Sequence, residues 1–164
     1  MMAAAVDQGQ LIWSPQPGEC RFAAAADLYR YWLACRGGRR FPARADLDPL
    51  QMRGALGNLT LIEVHRDPLR FRLRLVGTNQ TARLGFDPTG LWLDEMPTRE
   101  YGRLLIGRIT LILEHQQPLL VRNRQFMDDR WYDYETLWLP LAADGETIDM
   151  LLACQFFADA AEPG

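Results

Sequence analysis

The sequence VGTNQTARLGFDPTG at residues 76–90 follows LRFRLRL at residues 69–75, in which apolar and basic residues alternate. Alternation with a period of two predicts a β-strand, and the glycine that follows it ends the strand. Thr78 or Asn79 can cap a short helix, which Gly85 terminates. A second turn ending in Thr-Gly follows, so the segment folds back over whatever lies beside the strand.

A hairpin precedes this segment and a long helix follows it. Asp67 and Pro68 form the turn of the hairpin, and the sequence Met-Pro-Thr at 96–98 opens a helix that ends near His115. The predicted strands are residues 59–66, 69–76, 119–127, 131–141 and 147–157. Two strands precede the helices and three follow them. We therefore expect an α+β fold, in which the helices cross one face of a single antiparallel sheet.

The second hairpin strand has one apolar and one basic face. We expect Phe71, Leu73 and Leu75 to point to one side and the intervening arginines to point to the other. Together with two arginines of the third strand they form a candidate anion-binding patch. Its members are Arg70, Arg72, Arg74, Arg122 and Arg124. A solvated sheet face is the alternative interpretation of the same residues.

Residues 22–36, FAAAADLYRYWLACR, predict an N-terminal helix with an aromatic stripe. The stripe consists of Phe22, Tyr29, Trp32 and Leu33. The last predicted strand is apolar on both faces, so its outer face needs a cover. The helix can supply this cover within one chain or across a homodimer, and the sequence leaves both arrangements open.

The composition is that of one globular domain of 164 residues, with 48% hydrophobic and 24% charged residues. The net charge of −3 argues against a dedicated nucleic-acid binder. The first ten residues do not resemble a signal peptide, and no apolar run approaches the length of a membrane span. We expect a cytoplasmic protein without membrane insertion, with a flexible arm at 1–20, one domain at 21–158 and a flexible tail at 159–164.

Four segments carry a resemblance to the PAS domain. They are FPARADLDP at 41–49, RLRLVGTN at 72–79, LGFDPTG at 84–90 and ETLWLPLAADG at 135–145. More narrowly, the chain is similar to a bacterial subfamily of short, often single-domain PAS proteins. The resemblance implies five antiparallel strands in spatial order 2-1-5-4-3, curved around short helices and one long helix, with the N-terminal helix in addition.

The resemblance also implies a sensory or regulatory module that signals by contact with an unidentified protein and has no output domain of its own. In such a fold a small apolar ligand would lie between the long helix and the concave face of the sheet. The candidate pocket-lining residues are Phe71, Leu73, Trp92, Tyr101, Leu105 and Ile109. We also expect a homodimer through the N-terminal helix.

The residues argue against the cofactors known from PAS relatives. Haem-binding relatives use a histidine on the long helix, but His115 lies at its end, where a cation complements the helix dipole. Flavin-binding relatives need a reactive cysteine in the short helix, and TNQTARLG at 78–85 has none. The chain has only two histidines and no companions at metal-ligand spacing. We therefore predict neither haem, covalent flavin nor a metal.

No catalytic triad, nucleophile elbow or phosphate loop is recognisable, so we expect a protein that is not an enzyme. Two alternatives remain open. One is a small enzyme of the isomerase-like α+β cone fold, although that family places its helices before the strands. The other is a regulator that binds an anionic nucleotide through the arginine patch defined above.

Overall fold

The computed structural model describes residues 9–127 and 129–158. The strands are β1 Gln10–Trp13, β2 Leu59–His65, β3 Arg70–Val76, β4 Leu119–Met127, β5 Arg130–Leu141 and β6 Met150–Phe157. The helices are α1 Ala23–Arg36, α2 Thr78–Leu84 and α3 Arg99–His115. Short 3-10 helices lie at Pro17–Glu19, Arg44–Asp46, Pro49–Met52, Leu56–Asn58 and Leu93–Glu95.

The strands form one antiparallel sheet in the order β1-β4-β5-β6-β2-β3. When β1 is left out and the others are renumbered, this is the expected 2-1-5-4-3 order, so the α+β prediction is confirmed. The long strand β5 lies inside the sheet and pairs with β4 on one side and β6 on the other. Among the described residues no helix is long and apolar enough to cross a bilayer.

Strand β1 corrects the prediction of a flexible arm over residues 1–20. Gln10–Trp13 pair with β4, from Gln10 opposite Arg122 to Trp13 opposite Leu119. A four-residue strand is too short to show a convincing alternation, and only the open edge of β4 gives it a partner. Residues 1–8 of the predicted arm and the predicted tail at 159–164 lie outside the described residues.

Because of a β-bulge, the predicted side-chain orientation in the second hairpin strand is wrong at Leu75. The register of β2 and β3 shifts between Leu61 and Ile62, which pair with Leu75 and Leu73 respectively. Arg74 is thus the extra residue, and Leu75 turns to the face opposite Leu73, where 44% of its surface is exposed. A one-residue shift reverses every side chain beyond it, and alternation alone cannot reveal such a shift.

The starts of one strand and one helix also differ from the predictions. Strand β6 begins at Met150 rather than 147, because the Asp144 carboxylate accepts hydrogen bonds from the amides of Glu146 and Thr147 and holds a turn there. Gly77, rather than Thr78 or Asn79, is the N-cap of α2. A Cβ at Gly77 would lie 2.4 Å from the carbonyl oxygen of Gly57, so this close approach of two backbones requires glycine.

Helix α1 packs on its own sheet. Trp32 is fully buried, and its indole nitrogen donates a hydrogen bond to the carbonyl oxygen of Pro140 over 2.9 Å. Phe22 stacks on Phe156 of β6 with ring centroids 5.3 Å apart. Tyr29 is also buried, whereas Leu33 is half-buried. The apolar outer face of the last strand is therefore covered within one chain.

Candidate ligand-binding site

A cavity of about 710 Å³ lies between the inner face of the sheet and the helices α2 and α3. The inner face is the one opposite α1, and it contributes side chains from β2, β3, β4, β5 and β6. The segment at 76–90 forms part of the wall through Gln80, Arg83, Leu84 and Pro88. The volume falls within the usual range of small-molecule sites.

Apolar side chains form most of the wall. They are Ile62, Leu73, Val76, Leu84, Pro88, Pro97, Leu104, Leu105, Val121, Trp138, Ala153 and Phe157. Ile62 and Leu73 are buried at the β2–β3 side, and Val121 and Trp138 are buried at the β4–β5 side. The wall therefore suits the apolar body of an organic molecule rather than a hydrated ion.

A polar group centred on Tyr134 interrupts this apolar wall. The side-chain amide of Asn123 donates a hydrogen bond to the phenolic oxygen of Tyr134 over 2.8 Å, between directly paired residues of β4 and β5. Tyr134 also interacts electrostatically with Tyr101 and Arg108 of α3. The helix and the sheet thus contribute polar side chains to the same part of the cavity.

Arg108 is the buried cation of this group. Only 7% of its surface is exposed, and loss of hydration lowers the pKa of its guanidinium. Arginine nevertheless keeps its proton at neutral pH because its ordinary pKa is so high. The cavity wall therefore includes a positively charged side chain.

Tyr101 adds a phenolic hydroxyl to the cavity wall. Burial raises the pKa of its phenol to about 12, and Tyr134 acts in the same direction. The group is consequently protonated at neutral pH and can donate a hydrogen bond.

Two amides provide further polar surface. Gln80 is buried, and its side-chain nitrogen donates to the carbonyl oxygen of Asn58 over 3.2 Å. Gln155 donates to the hydroxyl of Thr136 over 3.2 Å. The Gln80 side-chain nitrogen also lies 3.5 Å from the carbonyl oxygen of Gln155, and this contact joins α2 to the sheet.

The mouth of the cavity lies between α2 and the start of α3. Its exposed side chains include Thr98, Arg99 and Glu100. Arg83 of α2 lies over the ring of Phe157, with its guanidinium carbon 3.5 Å from the ring centroid. Phe157 in turn stacks on Tyr134, with centroids 5.0 Å apart. A stack of side chains thus links the mouth to the interior.

The structure places the predicted pocket residues in two groups. Leu73, Tyr101 and Leu105 line the cavity, whereas Phe71, Trp92 and Ile109 are not among its lining residues. Phe71 and Ile109 are buried in the core. Trp92 lies beside β3, where the guanidinium carbon of Arg70 is 4.2 Å from its ring centroid.

Arg108, Asn123 and Tyr134 were not among the predicted site residues. Arg108 stands in an otherwise apolar stretch of α3, and a lone arginine on the buried side of a helix is a usable signal. Asn123 and Tyr134 gave no such signal, since only the pairing of β4 with β5 brings them together.

The five arginines of the predicted anion patch do not come together. Strands β3 and β4 stand four places apart in the sheet, about 19 Å at the usual strand spacing. Three of the five have close carboxylate partners: Arg70 pairs with Asp94 and Glu95, Arg122 with Glu135, and Arg124 with Asp133. Arg72 donates to the carbonyl oxygen of Gly90, and Arg74 lies 4.0 Å from the Glu63 carboxylate.

Neither histidine lies in the cavity wall. His115 stacks on Trp13 of β1 with centroids 4.0 Å apart, and its Nδ1 lies 2.9 Å from the carbonyl oxygen of Leu111. His65 pairs with Glu63 on the surface. In the part of the chain that the structure describes, no cluster of three or more histidine, cysteine or acidic residues could hold a metal ion.

Cys20 and Cys154 are buried free thiols away from the cavity. Burial raises the pKa of both, to about 11 for Cys20, where Glu135 acts in the same direction. Both are therefore protonated at neutral pH and are poor nucleophiles.

Comparison with known proteins agrees with this architecture. The family model described as PAS domain matches residues 21–155, which is most of the chain and includes every element from α1 to β6 except the last residues of that strand. No curated protein matched the chain. The inner cavity, the strand order and this match together show that the chain belongs to the PAS domain family.

Proposed function

We propose that this PAS domain binds a small organic ligand in the inner cavity and passes the signal to a protein partner by contact. Sensory and regulatory roles are general to the family. The observation that carries the proposal is the cavity of about 710 Å³, whose wall is mostly apolar and includes a few buried polar side chains. Such a combination is typical of small-molecule sites.

The segment at 76–90 couples the ligand to the surface. Its residues Gln80, Arg83 and Leu84 touch the cavity from α2, and the exposed Phe86 lies two residues beyond Leu84. A ligand that contacts α2 favours the conformation of α2 that closes over it. The affinity of a partner protein that binds this part of the surface would then depend on whether the cavity is occupied.

We propose a binding rather than a catalytic role for the cavity. Among the described residues that line it, Glu100 is the only carboxylate, and it is exposed at the mouth. Neither a histidine nor a cysteine is among the lining residues. An isomerase-like reaction would need a positioned acid and base close to the substrate.

A homodimer through the aromatic stripe of α1 is also a proposal, with a specific structural demand. Tyr29 and Trp32 are already buried against their own sheet. Two copies could share this contact only by exchanging their α1 helices, as in domain swapping.

The ligand-binding proposal is tested with 1-decanol, a neutral probe with a long apolar body, by native mass spectrometry. Leu104→Trp fills the cavity, because Leu104 lines it. Arg103→Trp is the matched control, since Arg103 is exposed on the same helix. We expect the wild type and Arg103→Trp to bind one decanol and Leu104→Trp to bind none. Equal binding by both variants, or none by the wild type, would contradict the proposal.

A further inference from the structure

We propose that the ligand of the inner cavity is a neutral amphipathic molecule whose head group donates a hydrogen bond to the side-chain oxygen of Gln80 and whose apolar body extends toward Ile62 and Leu73. A primary alcohol or a primary amide with an alkyl chain belongs to this class. The inference rests on the proposed ligand-binding function and specifies the chemical class of the ligand.

The side-chain amide of Gln80 is buried in the cavity wall and has a defined orientation. Gln80 belongs to α2, lines the cavity and is only 8% exposed. Its nitrogen donates to the carbonyl oxygen of Asn58 over 3.2 Å and lies 3.5 Å from the carbonyl oxygen of Gln155. Because carbonyl oxygens only accept hydrogen bonds, the nitrogen and not the oxygen of the amide must face them. The oxygen is therefore the atom of this amide that remains to accept a hydrogen bond from a ligand.

Thr136 and Gln155 continue the polar surface next to Gln80. They are directly paired on β5 and β6, and both line the cavity. The side-chain nitrogen of Gln155 donates to the hydroxyl of Thr136 over 3.2 Å. A hydroxyl that accepts one hydrogen bond can still donate its own proton. An alcohol bound beside Gln155 would thus find an acceptor in Gln80 and a donor in Thr136, which matches both functions of its oxygen.

The strand register places an apolar part of the wall at a distance from this polar surface. Four residues before Gln155 on β6, Leu151 pairs with Ile62 of β2, and Ile62 pairs with Leu73 of β3. Four residues of a strand span about 13 Å. Ile62 and Leu73 line the cavity, as does Ala153 between the two ends of this span. The wall therefore suits a molecule with one polar head and an alkyl chain.

Charged head groups match Gln80 less well. A carboxylate only accepts hydrogen bonds, so it would place its own oxygen against the side-chain oxygen of Gln80. An ammonium group would donate, but a buried charge needs a partner of opposite sign. Among the described residues of the wall, the only carboxylate is that of Glu100, which is exposed at the mouth. A neutral hydrogen-bond donor is the head group that fits.

The test compares 1-decanol with its isomer 1-methoxynonane, which has the same atoms but no O–H group. Isothermal titration calorimetry of the full chain gives the ratio of the two dissociation constants for the wild type and for Gln80→Met, whose side chain has a similar length but no amide. We expect the preference for decanol to fall about fivefold in Gln80→Met, as the loss of one neutral hydrogen bond permits. Gln125→Met makes the same change elsewhere in the cavity wall and should keep the wild-type ratio.

The outcomes separate the two proposals. If Gln80→Met leaves the ratio unchanged, or if Gln125→Met lowers it equally, the inference is wrong and the ligand-binding function stands. If neither probe binds the wild type, both proposals fail.

A measurement on the wild type alone tests the inference even if Gln80→Met does not fold. Nuclear Overhauser contacts should join the C1 methylene of bound decanol to the methyl group of Thr136, and the terminal methyl of decanol to Leu73. Contacts in the reverse orientation would contradict the inference.

Discussion

Asn123 and Tyr134 face each other across β4 and β5, and the amide of Asn123 donates a 2.8 Å hydrogen bond to the phenolic oxygen of Tyr134. Both side chains are buried and both line the cavity. The bond fixes the phenol that Arg108 and Tyr101 share as a neighbour. One cross-strand pair therefore connects the architecture of the sheet to the chemistry of the site.

Replacing Asn123 by alanine should lower the free energy of unfolding by about 1–3 kcal/mol, because the buried phenol loses its partner on β4. Urea denaturation measures this change. Gln125→Ala is the control, as Gln125 lines the same face of the same strand nearer its end and should matter by less than about 0.5 kcal/mol. Similar losses for the two variants would show that the Asn123–Tyr134 contact has no special role.

Gly90 should resist substitution because of its backbone conformation. Its φ angle is 90°, its amide donates to the carbonyl of Leu73, and its own carbonyl accepts from Arg72. Gly90→Ala should destabilise the protein by about 1–3 kcal/mol in thermal or urea unfolding. Gly107→Ala, in the exposed interior of α3 with open space around it, should instead stabilise it by about 0.5–1 kcal/mol. Changes of the same sign would refute the argument.

Removal of the Trp32 side chain should release α1 from the outer face of the sheet. Trp32→Ala creates a cavity and deletes the hydrogen bond to Pro140, so we expect a loss of about 3–5 kcal/mol of unfolding free energy. Trp131, which is 54% exposed, provides the control. Trp131→Ala should lower the free energy of unfolding by less than about 1 kcal/mol. If Trp32→Ala leaves the free energy of unfolding nearly unchanged, α1 contributes little to the stability of the fold.

The phenol of Tyr101 should make stability depend on alkaline pH. Burial raises its folded-state pKa to about 12 from an ordinary value of 10.0, so folding favours the protonated form. The resulting stabilisation is complete below pH 10 and is lost as the pH rises toward 12. Urea denaturation between pH 8 and pH 12 should therefore show the wild type losing stability relative to Tyr101→Phe. A constant difference across this range would contradict the burial of the phenol.

Local rules predicted most of the fold. The alternating strand at 69–75, the turn at Asp67 and the left-handed Gly85 lie where the sequence placed them. These features depend on neighbouring residues, which is why the sequence reveals them. The long helix α3 was likewise visible in its apolar pattern, and the strand order followed from the family resemblance.

The structural features that the sequence did not reveal depend on how the strands pair across the sheet. The extra residue at Arg74 reverses Leu75, and β1 exists only because the edge of β4 accepts it. The polar part of the cavity also depends on strand pairing, because only the register of β4 and β5 brings Asn123 and Tyr134 together. Arg108 was the one informative residue that a closer look at the polarity of α3 could have found.

The most direct test of the account is a crystal structure of the protein grown with 1-decanol. We predict one decanol molecule between α3 and the inner face of the sheet, with its chain against Leu73 and Leu105. Decanol bound only on the outer face, or an inner cavity filled by rearranged side chains with no room for a ligand, would contradict the central claim that this PAS domain is a ligand-binding module.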